Sequence, residues 1–174
     1  QVQYDMVDSA LAMIEKKGQN RPRGVCLYNG AWHQGVIGLL ASKIKERTYE
    51  PTVIFSDDEV GVTVKGSARS IEGINIRQVF ANIKEKRPDI LVKFGGHAMA
   101  AGLTLYKEHL QVFMGLFQEE VAKFNLALFT ETLRVDGPLY AHEITLKTAE
   151  AISEQGIWGQ GFAEPLFVNE GVVT

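Results

Sequence analysis

Three short stretches of this sequence carry residue types able to grip an anion. The first is Gly95-Gly96-His97, which follows an apolar run and precedes Ala98, Ala100, Ala101 and Gly102. Adjacent glycines let a backbone turn sharply and approach a ligand with no Cβ in the way, and their N–H groups can form an anion-binding concavity. His97 would then donate to a phosphate oxygen. A tight turn with a structural histidine fits the same tripeptide, and residue chemistry alone leaves both readings open. The second stretch, Gly66-Ser67-Ala68-Arg69-Ser70, follows a predicted strand over residues 60–65. Ser67 and Arg69 are two apart, so an extended chain puts them on one face, where a hydroxyl and a forked guanidinium can share a phosphate. A polar strand end with a solvated arginine is the alternative. The third, Trp32-His33-Gln34-Gly35-Val36-Ile37-Gly38, opens a predicted helix. Gly35 and Gly38 permit close approach to a strand or ligand, and helix N-termini attract anions. His33 suits a phosphate contact or a loop-orienting role. Arg47, near the far end of that helix, suits the helix dipole as well as a ligand.

Other chemistries are missing. His33, His97, His109 and His142 show no metal-ligand spacing. There is no Asp-His-His triplet and no dense aspartate cluster, so no metal ligands are assigned and a two-metal site is not encoded. No Ser–His–Asp arrangement and no Walker or Rossmann glycine fingerprint is present. Nothing in the chain by itself activates a water molecule, and alone it is expected to be inactive.

The elements that must position these residues come from a chain of 174 residues, enough for one ordinary domain with a small appendage. Hydrophobic residues make up 45% and charged residues 22%, the balance of a soluble globular protein. Cys26, the sole cysteine, lies in an apolar run and reads as a small core residue, which excludes a disulfide framework. No apolar stretch approaches the roughly 18 residues of a membrane span, and the N-terminus has no signal-peptide pattern. The chain begins at Gln1 inside an apparent helix, which reads as a cut boundary. Net charge is −3, against a broad nucleic-acid surface. Its distribution is uneven. Residues 1–30 carry four basic and three acidic groups, residues 31–105 ten and eight, and residues 106–174 four and ten. An anion site is therefore expected in the middle segment, and the C-terminal third is a poor DNA surface.

Helix-period and strand-period segments alternate. Val7, Ala10, Leu11 and Ile14 predict an amphipathic helix ending near Gly18. A strand over 25–28 and a helix carrying Ile37, Leu40, Ala41 and Ile44 follow. A strand over 51–55 and the period-two strand over 60–65 come next, joined by an exposed turn at Asp57-Asp58-Glu59. Ile76, Val79, Phe80 and Ile83 predict a helix capped by Asn75. Strands over 91–94 and 103–105 flank the glycines. A long helix carries Leu110, Phe113, Met114, Phe117, Val121 and Phe124 on one stripe. Beyond it come a strand candidate over 133–135, a helix over 143–153, a glycine-rich loop over 156–162 and an apolar end. The fold class is α/β, a mixed β-sheet flanked by helices. Residues from about 131 onward read as a linker helix and the start of another domain.

In order and spacing, the three stretches together resemble the RecJ exonuclease family of the Asp-His-His (DHH) phosphoesterase superfamily, over essentially the whole chain. Asp136-Gly137-Pro138-Leu139 and Trp158-Gly159-Gln160-Gly161-Phe162-Ala163-Glu164-Pro165 resemble the family's passage into its oligonucleotide-binding (OB-fold) barrel. The resemblance implies a division into residues 1–18, the end of a connecting helix; 19–130, a DHH-associated substrate-binding domain; and 131–174, a linker helix and the truncated start of an OB-fold. It implies a cytoplasmic 5′→3′ single-stranded-DNA exonuclease of recombination and repair. Mg²⁺ or Mn²⁺ would be held by an Asp-His-His domain that this chain lacks. Ser67 and Arg69 would hold the 5′-phosphate. His97, with Gly95 and Gly96, would contact the scissile region and stabilise transition-state charge. His33, Lys65, Lys93 and Arg47 are further candidate backbone contacts. The partners implied are single-stranded DNA, the protein's own Asp-His-His and OB-fold domains and single-strand-binding protein, with no membrane. Alanine at 68 replaces a glycine common in the family and would stiffen the loop slightly. The alternative is a related phosphodiesterase acting on short oligonucleotides or cyclic dinucleotides.

Overall fold

A computed structural model describes residues 2–16, 18, 21–132, 135–156, 158 and 163–169. They fall into two compact units, Gln1–Glu131 and Thr132–Thr174. The first unit is a five-stranded mixed sheet with helices on both faces. Its elements are α1 (Val2–Lys16), β1 (Val25–Tyr28), α2 (Ile37–Thr48), β2 (Thr52–Asp57), β3 (Thr63–Arg69), α3 (Ile76–Lys86), β4 (Leu91–Gly96), β5 (Ala100–Tyr106) and α4 (Leu110–Val121). Strand order is β1-β2-β3-β5-β4, with β1 and β2 parallel and the other pairs antiparallel. The predicted α/β class and mixed sheet are what the chain adopts.

Period-two alternation sends successive strand residues to opposite faces. On one face Val53, Phe55, Val64, Ala68, Leu103 and Leu105 meet α3 and α4 in the main core. Phe113 of α4 sits edge-on to Phe55, with centroids 5.4 Å apart, and stacks on Phe117 at 6.1 Å. Asn75 caps α3 as predicted, accepting from the Gln78 N–H at 3.1 Å. On the other face Val25, Leu27 and Ile54 meet Met6 and Ala10 of α1 and Leu40, Ala41 and Ile44 of α2. These two helices cover only the β1–β2–β3 side.

Several predicted boundaries move. Residues 60–62 alternate like a strand but form a turn: Gly61 has φ 74°, and its N–H donates to the Asp58 carboxylate at 2.7 Å. β3 therefore starts at Thr63 and runs through Gly66-Ser67-Ala68-Arg69. Ala68 does not stiffen a loop; its methyl is fully buried, opposite Val53 and Ala101. Gly95 and Gly96 likewise do not form the turn expected of them. They end β4, paired with Gly102 and Ala101, and the reversal falls on His97-Ala98-Met99, closed by the His97 N–H on the Ala100 carbonyl at 2.7 Å. Cys26 is buried, 2% exposed.

In the second unit α5 (Leu146–Gln155) starts later than predicted because Thr145 caps it, accepting from the Thr148 N–H. Gly137 and Phe167 form an isolated parallel bridge, flanked by bonds from Asp136 N–H to the Leu166 carbonyl and from Val168 N–H to the Gly137 carbonyl. Of the strand predicted over 133–135, residues 133 and 134 lie outside the described residues and Val135 is in no strand. Most of the predicted glycine-rich loop, and residues 170–174, also lie outside them.

Candidate nucleic-acid interface

β3 aims Lys65, Ser67 and Arg69 to the face only partly roofed by helices. The register carries two rows of residues across it. Ser67 lies opposite Gly102 of β5, which lies opposite Gly95 of β4; Lys65 lies opposite Thr104, which lies opposite Lys93. At roughly 4.8 Å per strand, Lys65 and Lys93 are two strand spacings apart, about 10 Å. α1 and α2 stop short of β5 and β4, leaving an open cavity of about 480 Å³ lined by Lys65, Lys93, Phe94, Gly95, Gly102 and Thr104. Both lysines are exposed and have no ion-pair partner among the described residues.

The roof ends on Ser67 and Arg69. A Cβ built on Gly38, in the first turn of α2, would stand 3.2 Å from Ser67 Oγ and 3.3 Å from Arg69 Nη2. Glycine at 38 thus allows the helix start to rest on these two side chains. Arg69 Nη1 donates to Ser67 Oγ at 3.3 Å and to the Ala68 carbonyl at 2.9 Å, and Nε donates to Ser42 Oγ at 3.1 Å. The free two-nitrogen fork expected of Arg69 is thereby partly spent inside the protein. Nη2 is the guanidinium nitrogen with no partner among the described residues.

The glycines differ in what demands them. Gly96 has φ 135°, and a Cβ there would run into the Ala100 carbonyl and Ala101. Gly66 points into the core, where a Cβ would meet Leu103 and Phe55 at 2.5 and 2.6 Å. Gly95 and Gly102 have no positive φ; a Cβ at 95 would meet nothing within 4 Å, and one at 102 only the Gly66 carbonyl at 3.9 Å. Internal packing does not require either to be glycine. Their effect is a floor of bare backbone.

The remaining candidates are spread out. His97 is exposed at the β4–β5 tip, which is tied to the end of β3 by the Ser70 N–H on the Met99 carbonyl and to the start of α3 by the Ile76 N–H on the Ala98 carbonyl, each 2.9 Å. Arg69 is paired with Ala100, so His97 and Arg69 share one end of the sheet. His33 sits elsewhere: its Nδ1 accepts from the Gly35 N–H at 3.1 Å, and it lines a cavity with Asp57, Asp58 and Glu59. Three carboxylates line this cavity and Lys107, at 2.9 Å, pairs with Asp57 alone, so the surrounding is net acidic and disfavours a phosphate. Arg47 is in the last turn of α2, about 13 Å along the axis from Gly38 at 1.5 Å per residue. Sequence reasoning misses Ser42, Gly102 and Thr104. Helical spacing from Gly38 to Ser42 is the available signal for the first, and period-two placement beside Ser67 for the others. Among the described residues no group of three His, Cys, Asp or Glu side chains could hold a metal.

A mixed sheet with one face half-open, a serine–arginine pair under a helix start and a Gly-Gly-His hairpin define the class. Residues 22–123 match the DHHA1 domain family, and the chain belongs to it. It is 45% identical over 153 residues to the single-stranded-DNA-specific exonuclease RecJ of Haemophilus influenzae, covering 86% of this chain and 26% of that protein. The Escherichia coli protein of the same name is 40% identical over 171 residues, 96% of this chain and 30% of that protein. The chain thus spans less than a third of the length of these relatives. The crystal structure of RecJ in complex with Mg²⁺ from Thermus thermophilus shares the fold, with a TM-score of 0.75 over 95% of this chain and 25% of that one at 22% identity.

Proposed function

We propose that this chain is the DHH-associated, substrate-gripping part of a RecJ-type 5′→3′ single-stranded-DNA exonuclease of recombination and repair, acting in the cytoplasm. Residues 19–130 are the gripping domain, residues 1–18 the end of a connecting helix, and residues 131–174 a linker helix leading into an OB-fold. Hydrolysis belongs to an Asp-His-His domain outside this chain that carries Mg²⁺ or Mn²⁺. Here Ser67 and Arg69 hold the 5′-phosphate, Lys65 and Lys93 neutralise backbone phosphates, and Gly95 and Gly96 let the strand lie against the sheet. His97, at the end of the sheet shared with Arg69, donates to the scissile phosphate. His33 and Arg47 take no part in this grip.

The observation that carries the reading is the contact of Ser67 and Arg69 under Gly38, at the rim of a lysine-flanked, Cβ-free floor. Phosphate neutralisation by few cations predicts binding that weakens as salt rises, with a shallow slope. The Arg69→Ala change is expected to weaken a 5′-phosphorylated strand of about ten nucleotides by roughly 10- to 100-fold, the worth of a charge-assisted bond, and a 5′-hydroxyl strand much less. Equal losses for the two strands would overturn the assignment of the end-phosphate. Tighter binding of a dinucleotide than of the longer strand would move the chain to the short-oligonucleotide phosphodiesterases.

A further inference from the structure

Ser42 lies outside all three sequence stretches, yet its hydroxyl bonds the guanidinium of Arg69, one of the two side chains proposed to hold the 5′-phosphate. It sits on α2 one turn after Gly38 and is half-buried against β3. Its hydroxyl accepts from Arg69 Nε at 3.1 Å and donates to the Gly38 carbonyl at 3.3 Å. A serine hydroxyl has one proton and two lone pairs, so both bonds can be made at once. The guanidinium is then held at three points: Nε by Ser42, and Nη1 by Ser67 Oγ and the Ala68 carbonyl. Arginine is a flexible chain with a rigid planar end, and a plane fixed at Nε and Nη1 has no freedom to turn Nη2 elsewhere. Nη2 lies against Gly38, at the start of α2, where the first-turn N–H groups have no helical acceptor.

We propose that Ser42 is a positioning residue for the 5′-phosphate grip: it fixes the Arg69 guanidinium so that Nη2 meets the end-phosphate beside the first turn of α2. The inference rests on the reading of Ser67 and Arg69 as that grip. Ser42 touches no substrate. Its contribution is to hold Arg69 in its binding orientation before the strand arrives, so that less side-chain freedom is lost on binding.

The test compares Ser42→Ala, Ser42→Thr, Arg69→Ala and the Ser42→Ala/Arg69→Ala double variant in the full-length protein. The readouts are affinity for 5′-phosphorylated and 5′-hydroxyl strands, the KM and kcat of digestion, and thermal unfolding. Ser42→Ala is expected to lower the preference for the 5′-phosphate about five- to tenfold, a change in one charge-assisted bond's geometry. The loss should appear in KM with kcat kept, the mark of ground-state binding. Ser42→Thr keeps the hydroxyl and should restore most of the preference. The double variant should be no worse than Arg69→Ala alone, because the serine acts only through the arginine. A phosphate preference unchanged in Ser42→Ala while Arg69→Ala loses it would overturn the role of Ser42 alone. So would additive losses, or a fall in Tm without loss of preference. If Arg69→Ala itself keeps the preference, the reading of the grip fails first.

Discussion

The two faces of the sheet use the same strands for opposite ends. On the face under α3 and α4, β3 presents Val64, Gly66 and Ala68, all buried, and every position is filled by a neighbour. On the other face, one residue along, it presents Lys65, Ser67 and Arg69, exposed or half-buried beside open space. Glycines occur on both, but Gly66 is glycine because Phe55 and Leu103 occupy the volume of a side chain, whereas Gly95 and Gly102 have room for one. Charge follows the same division. The packed side neutralises its buried carboxylate: Glu120, 2% exposed, takes Lys86 and Lys123 at 2.6 Å each and Asn82 at 3.2 Å. The open side leaves Lys65 and Lys93 unpaired among the described residues. Residues whose requirements are met inside the protein hold the fold, and residues whose requirements are left unmet are the ones to which the proposed function assigns the strand.

The largest effect should come from putting a methyl on the filled face. Gly66→Ala drives a Cβ into Phe55 and Leu103 and is expected to destabilise the fold by about 2–3 kcal/mol, read as a lower denaturant midpoint. A variant as stable as the parent would show that this face is not close-packed at β3. Next in size is the buried carboxylate. Burial pushes Glu120 upward, but the bonds from Lys123, Lys86 and Asn82 outweigh it and hold the carboxyl down at about 2. A folded value below the ordinary one of 4.5 means that the stabilisation is complete above about pH 4.5 and is lost as pH falls toward 2. Glu120→Gln should cost about 1–2 kcal/mol at neutral pH and flatten the acid side of the stability profile, measured by denaturant melts from pH 7 down to about 2. A profile as steep as the parent's would place the acid sensitivity elsewhere. The smallest stability effect belongs to the open floor. Gly102→Ala should leave the melting temperature unchanged or raise it, within about 1 kcal/mol, because alanine costs the unfolded chain less freedom than glycine. It should still weaken single-stranded DNA severalfold by lifting it from the floor. A destabilised Gly102→Ala would erase the distinction between the two kinds of glycine.

Much of this was legible from residue order. The stripes Ile37-Leu40-Ala41-Ile44 and Ile76-Val79-Phe80-Ile83 are the buried faces of α2 and α3, because a 3.6-residue period can bury only one side of a helix. The Asn75 cap and the pairing of Ser67 with Arg69 on one strand face are equally local. The misplaced boundaries have separate causes. Val60 and Val62 alternate as strand residues do, yet they are exposed, 79% and 58%, because the Asp58–Gly61 turn sets where β3 begins. The glycines of Gly95-Gly96-His97 looked like a turn because glycine permits one, but strand pairing with β5 moved the reversal one step on.

By itself the sequence determined most of the elements, the α/β class and the two stretches to which the proposed grip is assigned, residues 66–70 and 95–97, since these depend on neighbours within a few residues. Only the tertiary structure decided that Gly38 rests on Ser67 and Arg69, that Ser42 holds Nε, that Gly95 and Gly102 share a row with Ser67, and that His33 faces carboxylates instead. The reason is that strand register and the placement of α2 across β3 are set by which apolar faces bury together. That summed burial joins residues dozens of positions apart, and no local pattern of side chains encodes it.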